Sequence, residues 1–414
     1  MNFEKQEIAV IGGGAAGFFT AFTCAKNYPQ HRVTIYEKSN KLLSKVRVSG
    51  GGRCNVTHAC TDIQELVKNY PRGEKQLINA FARFSVADTI QWFEEQGVRL
   101  KTEEDGRMFP VTDNSETIVN CLMEEAEKFQ VKIILNAELV KLSKNNGNKF
   151  ELTFKNENKI MVDKVLIAAG GHPKAETLSF LHETGHELIS PVPSLFTFNM
   201  PGDPVKELMG VSVPLATLQV VGSKLVSSGP LLITHWGMSG PAVLKLSALA
   251  ARDLAGKNYQ FDLTVCWITE KNTELLQKKL VNIKKELGSK EVYLRCPFDL
   301  PKRLWRFLLL KLSFPETVHW ADLSNEQVRK LARVLTQDHY NVHGKTTFKE
   351  EFVTCGGVSL RDVDFRTMES KKCTGIYFAG EVLDIDALTG GYNFQAAWTT
   401  GYLAGMNIGK QESV

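Results

Sequence analysis

The 414 residues are 43% hydrophobic and 23% charged, with a formal net charge of +4. This length predicts two to three domains, and so small a positive excess does not by itself indicate nucleic-acid binding. The sequence shows no apolar run near the roughly 18 residues of a membrane span, no signal peptide, and eight cysteines without CxxC spacing. We therefore expect a cytoplasmic protein with reduced thiols, without membrane association and without a metal site.

The first elements form a strand–turn–helix–strand pattern. Residues 7–11 are predicted as a buried strand, residues 18–26 as a helix and residues 32–37 as a second strand. The turn between the first strand and the helix carries a GxGxxG pattern, and an acidic residue ends the second strand. This order predicts a βαβ dinucleotide-binding unit.

Each residue of this turn has a physical role in such a unit. Gly12 permits the tight turn, Gly14 lets the backbone approach a pyrophosphate, and Gly17 lets helix and strand pack closely. The helix N-terminus faces the phosphate charge, and Glu37 can accept a hydrogen bond from a ribose hydroxyl. The predicted contacts with the dinucleotide are Gly12, Gly14, Ala15, Ala16, Gly17, Glu37 and Lys38.

Residues 49–55 form a second glycine-rich segment with room for a large planar ligand. Arg53 can meet a phosphate or a nicotinamide, and Asn55 can hydrogen-bond to cofactor or substrate. Cys54 is a candidate proton donor, although a structural or cofactor-contacting role is favoured. Thiol–disulfide exchange with Cys60 is disfavoured, because dithiol flavoreductases use C-x4-C and this spacing is C-x5-C. The predicted contacts are Gly51, Gly52, Arg53, Cys54 and Asn55.

Residues 164–171 read as an apolar strand that ends in small residues, of the kind that packs beside the first turn. Ala168, Ala169 and Gly170 are therefore predicted to contact the cofactor.

From residue 191 the pattern changes to short strands separated by Gly, Pro and Ser, which indicates a β-barrel. These strands are predicted at residues 193–198, 211–213, 216–221, 230–234 and 259–265, with a further one at 346–353.

Residues 234–242 lead into a helix, with Ser239 as the expected N-cap and Pro241 in the first turn. His235 can orient or protonate a substrate. The alternative, which is favoured, is a hydrogen-bonded histidine that precedes a capped helix.

Residues 270–336 are predicted as helices at 274–287, 301–312 and 325–335. Residues 270–311 contain eleven Lys and Arg against five Asp and Glu, a net charge of +6. A solvated helix face is the favoured interpretation. The alternative is docking on RNA phosphates, with Trp305, Phe307 or Trp320 available to stack on bases.

The C-terminal region contains a strand at residues 374–381 and glycines before a helix that starts near Asn393. Glu381 or Asp384 can hold ribityl or ribose hydroxyls at the carboxyl edge of the sheet. No second strand–turn–helix carries GxGxxG, which favours one bound FAD over two nucleotide sites. The predicted contacts are Gly380, Glu381, Asp384, Gly391, Tyr392, Asn393, Phe394 and Gln395.

The chain resembles the HI0933/YhiN-like (BaiN/RdsA) family of FAD-dependent oxidoreductases. The motifs that carry the resemblance are GGGAAG at 12–17, SGGGRCNVT at 49–57, GRMFP at 106–110, THWGMSGPA at 234–242, TCGGVS at 354–359 and FAGEVLDIDALTGGYNFQAAW at 378–398. The resemblance implies an α/β fold with a two-dinucleotide-binding-type, Rossmann-like FAD domain, interrupted by a β-barrel that carries a small helical insert. It also implies that Leu139 contacts adenine through its backbone.

The implied boundaries are 1–190 and 354–414 for the FAD domain, 191–269 and 337–353 for the barrel, and 270–336 for the helical insert. The resemblance implies that NADH or NADPH transiently reduces the flavin, which then reduces a C=C conjugated to a carbonyl. Two acceptors are implied, uracil in ribosomal RNA and a small steroid-like enone, and the charge of +6 favours RNA. A flavin-dependent monooxygenase and a non-catalytic ribosome assembly factor remain alternatives.

Overall fold

The computed structural model describes residues 5–172, 174–347 and 353–411. The chain forms two compact units, residues 1–193 with 349–414, and residues 194–348. The predicted boundaries of the discontinuous domain, after residue 190 and before residue 354, fall close to these divisions. The finer division of the second unit into a barrel and a helical insert stays a prediction.

The regular elements are named here in chain order. The strands are β1 (Glu7–Ile11), β2 (Arg32–Tyr36), β3 (Thr57–His58), β4 (Leu100–Thr102), β5 (Arg107–Pro110), β6 (Lys132–Ile134), β7 (Leu139–Lys144), β8 (Phe150–Phe154), β9 (Lys159–Val162), β10 (Lys164–Ile167), β11 (Leu188–Ser194), β12 (Thr197–Asn199), β13 (Ser212–Val220), β14 (Val226–Ile233), β15 (Gly237–Ser239), β16 (Gln260–Cys266), β17 (Asp338–His343), β18 (Lys345–Thr346), β19 (Val353–Val358), β20 (Val363–Asp364), β21 (Glu369–Ser370) and β22 (Ile376–Phe378). The helices are α1 (Ala15–Asn27), α2 (Ser44–Gly52), α3 (Ile63–Val67), α4 (Glu74–Phe81), α5 (Val86–Glu95), α6 (Glu116–Lys128), α7 (Pro241–Leu249), α8 (Ala251–Gly256), α9 (Thr273–Glu286), α10 (Lys302–Lys311), α11 (Asn325–Thr336) and α12 (Tyr392–Ile408).

The first unit is built on a seven-stranded sheet in the order β20-β21-β22-β10-β1-β2-β6. Strands β22, β10, β1, β2 and β6 pair with one another in parallel, whereas β21 pairs with β22 in the antiparallel direction. The apolar residues of β22, β10, β1 and β2 are buried, as expected for parallel strands covered on both faces, and those of the edge strand β6 are half-buried. Because parallel strands end at the same edge, the segments that follow β1, β2, β10 and β22 all begin at one carboxyl edge.

Helices α1 and α12 pack against each other in parallel. A Cβ on Gly401 would lie 2.8 Å from the carbonyl oxygen of Ala16, and one on Gly405 would lie 2.6 Å from Cβ of Thr23. The Thr20 hydroxyl donates to the Gly401 carbonyl over 3.0 Å. From this register, α12 begins about six residues, or roughly 9 Å, before the level at which α1 begins. Both helices therefore point their N-termini in the same direction.

The second unit contains a seven-stranded sheet in the order β17-β16-β13-β14-β15-β12-β18. Its two edge strands, β17 and β18, are consecutive in the chain and are separated only by Gly344, so the sheet must curl on itself, as in the predicted barrel. The strands predicted at 211–213 and 216–221 are one strand, β13, with an irregularity between Val213 and Ala216. Pro214 lies in this interval and cannot donate to the ladder, which explains the interruption.

The three predicted helices are present as α9, α10 and α11, and their apolar faces share one hydrophobic core with the strands of this unit. The helix after β15 is capped by the backbone of Gly240 rather than by Ser239, with Pro241 at its first position. The strand predicted at 346–353 is present at its two ends as β18 and the start of β19, while residues 348–352 lie outside the described residues.

Candidate functional site

The carboxyl edge of the first unit's sheet brings together four predicted glycine-rich segments. They are the turn after β1, residues 49–55, the end of β10 and the glycines before α12. A Cβ on Gly12 would lie 2.3 Å from the carbonyl oxygen of Ala168, so the turns after β1 and β10 touch. A Cβ on Gly380 would lie 2.8 Å from Cβ of Ala16, which places the segment after β22 against α1. Asn55 joins the segment 49–55 to the start of α12, as described below.

The turn after β1 contains two kinds of glycine. Gly12 and Gly17 are packed against the backbone, whereas Gly14 faces open space. A Cβ on Gly17 would lie 2.0 Å from the Gly12 carbonyl oxygen, and Gly12 adopts a φ of +114°. Gly14 is the N-cap of α1, and a Cβ added there would meet no atom within 4 Å. No described side chain caps α1, so the N–H groups of residues 15–17 are available to an anion beside Gly14.

Glu37 holds this turn from the end of β2. Its carboxylate accepts from the backbone N–H of Gly13 (2.8 Å) and from the N–H (2.9 Å) and hydroxyl (2.8 Å) of Ser39. A carboxylate has about four acceptor positions, so one remains for a ribose hydroxyl. Lys38 beside it is exposed. The backbone N–H of Ala137 donates to the Glu37 carbonyl, which brings the chain leading to Leu139 next to this position.

The segment 49–55 opens toward the same edge. Gly51 and Gly52 have φ of +70° and +83°, and a Cβ on either would meet no atom within 4 Å. Gly170, at the end of β10, has a φ of +74° and the same open space. Together with Gly14, these glycines leave room for a ligand to approach the backbone closely.

Asn55 connects this segment with the N-terminus of α12. With its amide oriented as its neighbours require, Asn55 accepts from the backbone N–H of Gly391 (3.0 Å) and donates to the carbonyls of Thr57 (3.0 Å) and Met108 (3.3 Å). A Cβ on Gly391 would lie 2.4 Å from the Thr57 carbonyl oxygen, so only glycine fits. The Asn55 side chain is therefore used within the protein, and its hydrogen bond to cofactor or substrate stays a prediction.

The two charged or nucleophilic residues of the segment are also held by the protein. The Arg53 guanidinium lies 2.6 Å from Glu103 and stacks over the Phe109 ring at 3.9 Å. Cys54 is completely buried, and burial raises the pKa of its thiol to about 12. All eight cysteines are free thiols. The role of Cys54 as a proton donor stays a prediction.

Helix α12 begins at Tyr392, after Gly391 with a φ of +92°, and no described side chain caps it. The N–H groups of residues 392–394 therefore form a second uncapped helix end. Asn393 accepts from the Ala387 N–H (2.9 Å) and donates to its carbonyl (3.2 Å), which fixes the preceding loop. Phe394 is half-buried and stacks on Trp398 with ring centroids 5.6 Å apart.

Gln395 lies on the inner side of α12. Its side-chain oxygen accepts from the Thr57 hydroxyl (2.6 Å), and its nitrogen donates to the hydroxyls of Thr89 (2.9 Å) and Thr399 (3.0 Å). Its backbone N–H donates to the Gly391 carbonyl. These bonds hold the helix, and the predicted contact of Gln395 with the cofactor stays a prediction.

Glu381 and Asp384 follow β22 at the carboxyl edge. Glu381 pairs with Lys45 at 2.5 Å and accepts from the backbone N–H of Thr354 at 2.9 Å. Asp384 is half-buried, and its backbone N–H donates to the Val358 carbonyl. Glu381 is therefore bound within the protein by one cation and one N–H group.

Two polar groups at this edge were missed by sequence reasoning. His172 follows Gly171 and is 93% buried, with no described partner for its Nε2 atom. Thr354 is also buried, with no described partner for its hydroxyl. The only signal in the sequence was their position, directly after the AAGG motif and at the start of TCGGVS. Neither residue type is informative at such a position without the fold.

His235, the second predicted catalytic residue, belongs to the other unit. It is exposed and packs against Trp236 with ring centroids 4.1 Å apart.

Among the described residues, no cluster of His, Cys, Asp and Glu has the geometry of a metal site. No described helix is long and apolar enough to cross a bilayer.

Comparison with known proteins assigns the fold. The sequence model of the HI0933-like protein Rossmann domain matches residues 6–407. The chain belongs to the HI0933-like family. A ribosomal RNA dihydrouridine synthase from Haemophilus influenzae is 28% identical over 430 residues, which cover 99% of this chain and 100% of the relative. A 3-dehydro-bile acid delta(4,6)-reductase from Clostridium scindens is 27% identical over 427 residues, which cover 97% of this chain and 98% of the relative.

Among solved structures, a 3-ketosteroid-delta4-(5alpha)-dehydrogenase from Rhodococcus jostii RHA1 has the same fold. It superposes with a TM-score of 0.53 at 13% identity and covers 98% of this chain and 97% of its own. These similarities confirm the predicted family, the α/β Rossmann-like fold class and the class of enzyme, an FAD-dependent oxidoreductase of the HI0933-like family.

Proposed function

We propose that this protein binds FAD at the carboxyl edge of its first unit and uses NADH or NADPH to reduce a C=C conjugated to a carbonyl, with uracil in ribosomal RNA as the acceptor. The observation that carries the cofactor assignment is the pair of uncapped helix N-termini, at α1 and α12, that point in the same direction roughly 9 Å apart along the helix axes. An extended dinucleotide such as FAD has a negatively charged diphosphate in its middle and a polar ring at one end. The diphosphate can bind at the positive end of α1 and the ring at the positive end of α12.

The residues present fit this cofactor. The diphosphate would bind at Gly14 and the N–H groups of Ala15 and Ala16, where a Cβ at residue 14 would meet empty space. A ribose hydroxyl would donate to the free acceptor position of Glu37. The flavin ring would face the open glycines, which are Gly51, Gly52 and Gly170.

FAD, when bound, supplies two-electron transfer between the nicotinamide and the acceptor. The chain itself contributes position and electrostatics. The uncapped N-terminus of α12 presents the N–H groups of Tyr392, Asn393 and Phe394 and the positive end of the helix dipole, which would hold a carbonyl edge of the ring and favour negative charge there. Asn55 and Asn393 fix the turn before this helix, so the donors are held in place before the reaction.

The balanced reaction is NAD(P)H plus a proton plus uracil giving NAD(P)⁺ plus dihydrouracil. The hydride adds to the ring carbon β to the carbonyl and the proton adds to the α carbon. The same chemistry applies to an unsaturated steroid ketone, so the acceptor depends on recognition. The relatives with both kinds of name cover almost the whole chain, and similarity alone does not separate them.

The basic helices of the second unit support RNA. The five cations Lys278, Lys285, Lys290, Arg295 and Lys302 are exposed, and no carboxylate of the described residues pairs with them. Three other cations of this region form ion pairs. Lys279 pairs with Glu270, Arg306 with Glu316, and Lys311 with Asp338. A small apolar substrate gains little from unpaired surface cations, whereas a polyphosphate gains counterion release.

The predicted aromatic contacts with RNA need correction. Trp305 and Trp320 are buried, at 1% and 0% exposure, and stack on each other in the core of the second unit. Their faces therefore cannot receive bases. Phe307 is half-buried, and of the three aromatic residues only its contact with RNA stays a prediction.

A charge-reversal experiment tests the RNA proposal. We expect K278E/K285E/K290E to weaken binding of ribosomal RNA fragments and to lower the slope of log affinity against log salt by about 2, because each lost single-strand phosphate contact lowers it by roughly 0.7. The matched control K75E/K132E/K257E reverses three exposed lysines elsewhere. Equal behaviour of the two variants in binding and in dihydrouridine formation, measured by mass spectrometry of the RNA, would contradict the proposal.

The second candidate is reduction of a small enone, favoured by the similarity to the 3-dehydro-bile acid delta(4,6)-reductase. Turnover of NADH or NADPH with a steroid enone, and none with RNA, would support it. Oxygen consumption coupled to a hydroxylated product would indicate a monooxygenase, and FAD binding without any turnover would indicate an assembly factor.

A further inference from the structure

A two-residue turn, formed by His235 and Trp236, joins β14 to β15 in the second unit. The flanking residues Thr234 and Gly237 pair through both of their backbone groups, with N–H to carbonyl distances of 2.8 and 3.2 Å. Hairpin turns of this length favour Gly, Asn and Asp, with at least one central residue at positive φ. Neither His235 nor Trp236 has a positive φ. Local turn preference therefore does not explain these two residues, and such departures are typical of functional sites.

The backbone of Trp236 is fixed while its side chain is exposed. Its N–H donates to Oγ1 of Thr234 over 3.3 Å, and its carbonyl accepts from the N–H of Met200 over 2.8 Å. The indole residue is 43% exposed, and among the described residues no other Trp, Tyr or Phe is exposed. The His235 ring lies beside it, with centroids 4.1 Å apart and ring planes at 41°. The hairpin thus presents an aromatic surface whose position is set before any ligand binds.

The first turn of α10 lies beside this hairpin, within the same unit. The Arg303 guanidinium donates to the carbonyls of Glu207 (2.8 Å) and Met209 (3.4 Å). The next residue, Gly210, donates its N–H to the carbonyl of Ile233 over 2.9 Å, and Ile233 is the last residue of β14. The basic start of α10 therefore borders the aromatic turn.

The charge of α10 indicates which ligand suits this turn. The helix contains four cations and no carboxylate. Arg306 and Lys311 are paired, whereas Lys302 and Arg303 in the first turn are exposed and pair with no carboxylate of the described residues. Proteins that bind single-stranded nucleic acid combine cations along the phosphates with aromatic side chains on which bases stack. A steroid or an apolar protein surface would match the indole and gain nothing from the cations.

We propose that Trp236 stacks on an unpaired base of the RNA whose phosphates bind the basic helices of the second unit. This inference rests on the proposed function, and it supplies the aromatic contact that the buried Trp305 and Trp320 cannot make. Stacking on an indole does not select a sequence, because every base has a π-face. It does select single-stranded loops and ends, because their unstacked bases can reach an aromatic side chain.

The test measures binding of a single-stranded oligouridine by the full-length protein. We expect W236A to raise the Kd roughly five- to hundredfold, which is the range for one stacked base, and W236F to recover most of the loss. The slope of log affinity against log salt should not change in W236A, since no phosphate contact is removed. L215A is the matched control and should bind like wild type, because Leu215 lies in the same unit and is also 43% exposed.

A strand of the same length with abasic sugars supplies a readout that a merely structural role would not move. It keeps the phosphates and lacks the bases, so wild type and W236A should bind it equally. Equal weakening of W236A on both strands, no weakening on oligouridine, or no binding of oligouridine by wild type would each overturn the proposal. If W236A binds only oligouridine more weakly while wild type forms no dihydrouridine, the stacking role stands and the proposed acceptor is wrong.

Discussion

At the scale of single residues, glycines in this site have two distinct functions. Gly12 and Gly17 are required because neighbouring backbone atoms occupy the place of a side chain, and Gly391 is required by the Thr57 carbonyl. Gly14, Gly51, Gly52 and Gly170 instead leave space that nothing in the protein fills. The sequence motif alone does not distinguish these functions, although they affect different measurements.

Substitution of two neighbouring glycines should separate the functions. Gly14 has a φ of −98° and open space, so we expect G14A to change the free energy of unfolding by less than about 0.5 kcal/mol while it weakens FAD binding. G17A places Cβ against the Gly12 carbonyl and should lower stability by about 1–3 kcal/mol. Urea denaturation and FAD titration measure both. Unimpaired FAD binding by G14A would contradict the assignment.

His172 predicts a particular dependence of stability on pH. Its pKa is about 4 in the folded protein, against 6.5 for a histidine free of such surroundings, so between these pH values the unfolded chain binds a proton that the folded protein does not. Stability should therefore decrease as pH falls from 6.5 to 4, by about 3 kcal/mol from this group. We expect H172Q to lose less stability between pH 7 and pH 4.5 in urea denaturation. If H172Q lost as much stability as the wild type between pH 7 and pH 4.5, His172 would not be the cause of the pH dependence.

At the scale of elements, the loop between β22 and α12 places the helix end in the site. Arg72 forms a bidentate ion pair with the completely buried Asp386, and the Leu388 N–H donates to the Asn69 carbonyl. These contacts, with the bonds of Asn393, fix the loop before Tyr392.

Removal of one member of this pair should be costly. R72A leaves the Asp386 carboxylate buried without its cation, and we expect a loss of about 3–5 kcal/mol of unfolding free energy. The double variant R72L/D386L removes both charges and should be more stable than R72A. Chemical denaturation of both variants measures the difference. If the double variant were less stable than R72A, the ion pair would not be the cause.

The elements show what the sequence can and cannot predict. β1, α1, β2 and the three helices of residues 270–336 were correct because periodicity and turn residues are local signals. The burial of Trp305 was missed, although Leu304, Trp305, Leu308 and Leu309 follow a helical stripe that indicates a core face. The contact of Asn55 with Gly391 joins residues 336 positions apart, and no local pattern reports it. His172 and Thr354 were missed for the same reason.

At the scale of the whole molecule, the first unit is discontinuous in sequence. β1 and β10 pair within the first 170 residues, whereas β22 and α12 come from the last 40. The second unit, residues 194–348, lies in sequence between the two parts of the first, and the predicted three-part domain division stays a prediction. The charge of the chain is also uneven, because residues 270–311 alone carry +6 while the whole chain carries +4.

This arrangement affects how the protein is made. During translation, the continuous residues 194–348 can fold as soon as they leave the ribosome, because all their partners are already present. The N-terminal strands must wait for β22 and α12, which are synthesised more than 200 residues after β10. Until then the apolar flank of β10 remains uncovered, and the nascent chain is exposed to aggregation during that interval.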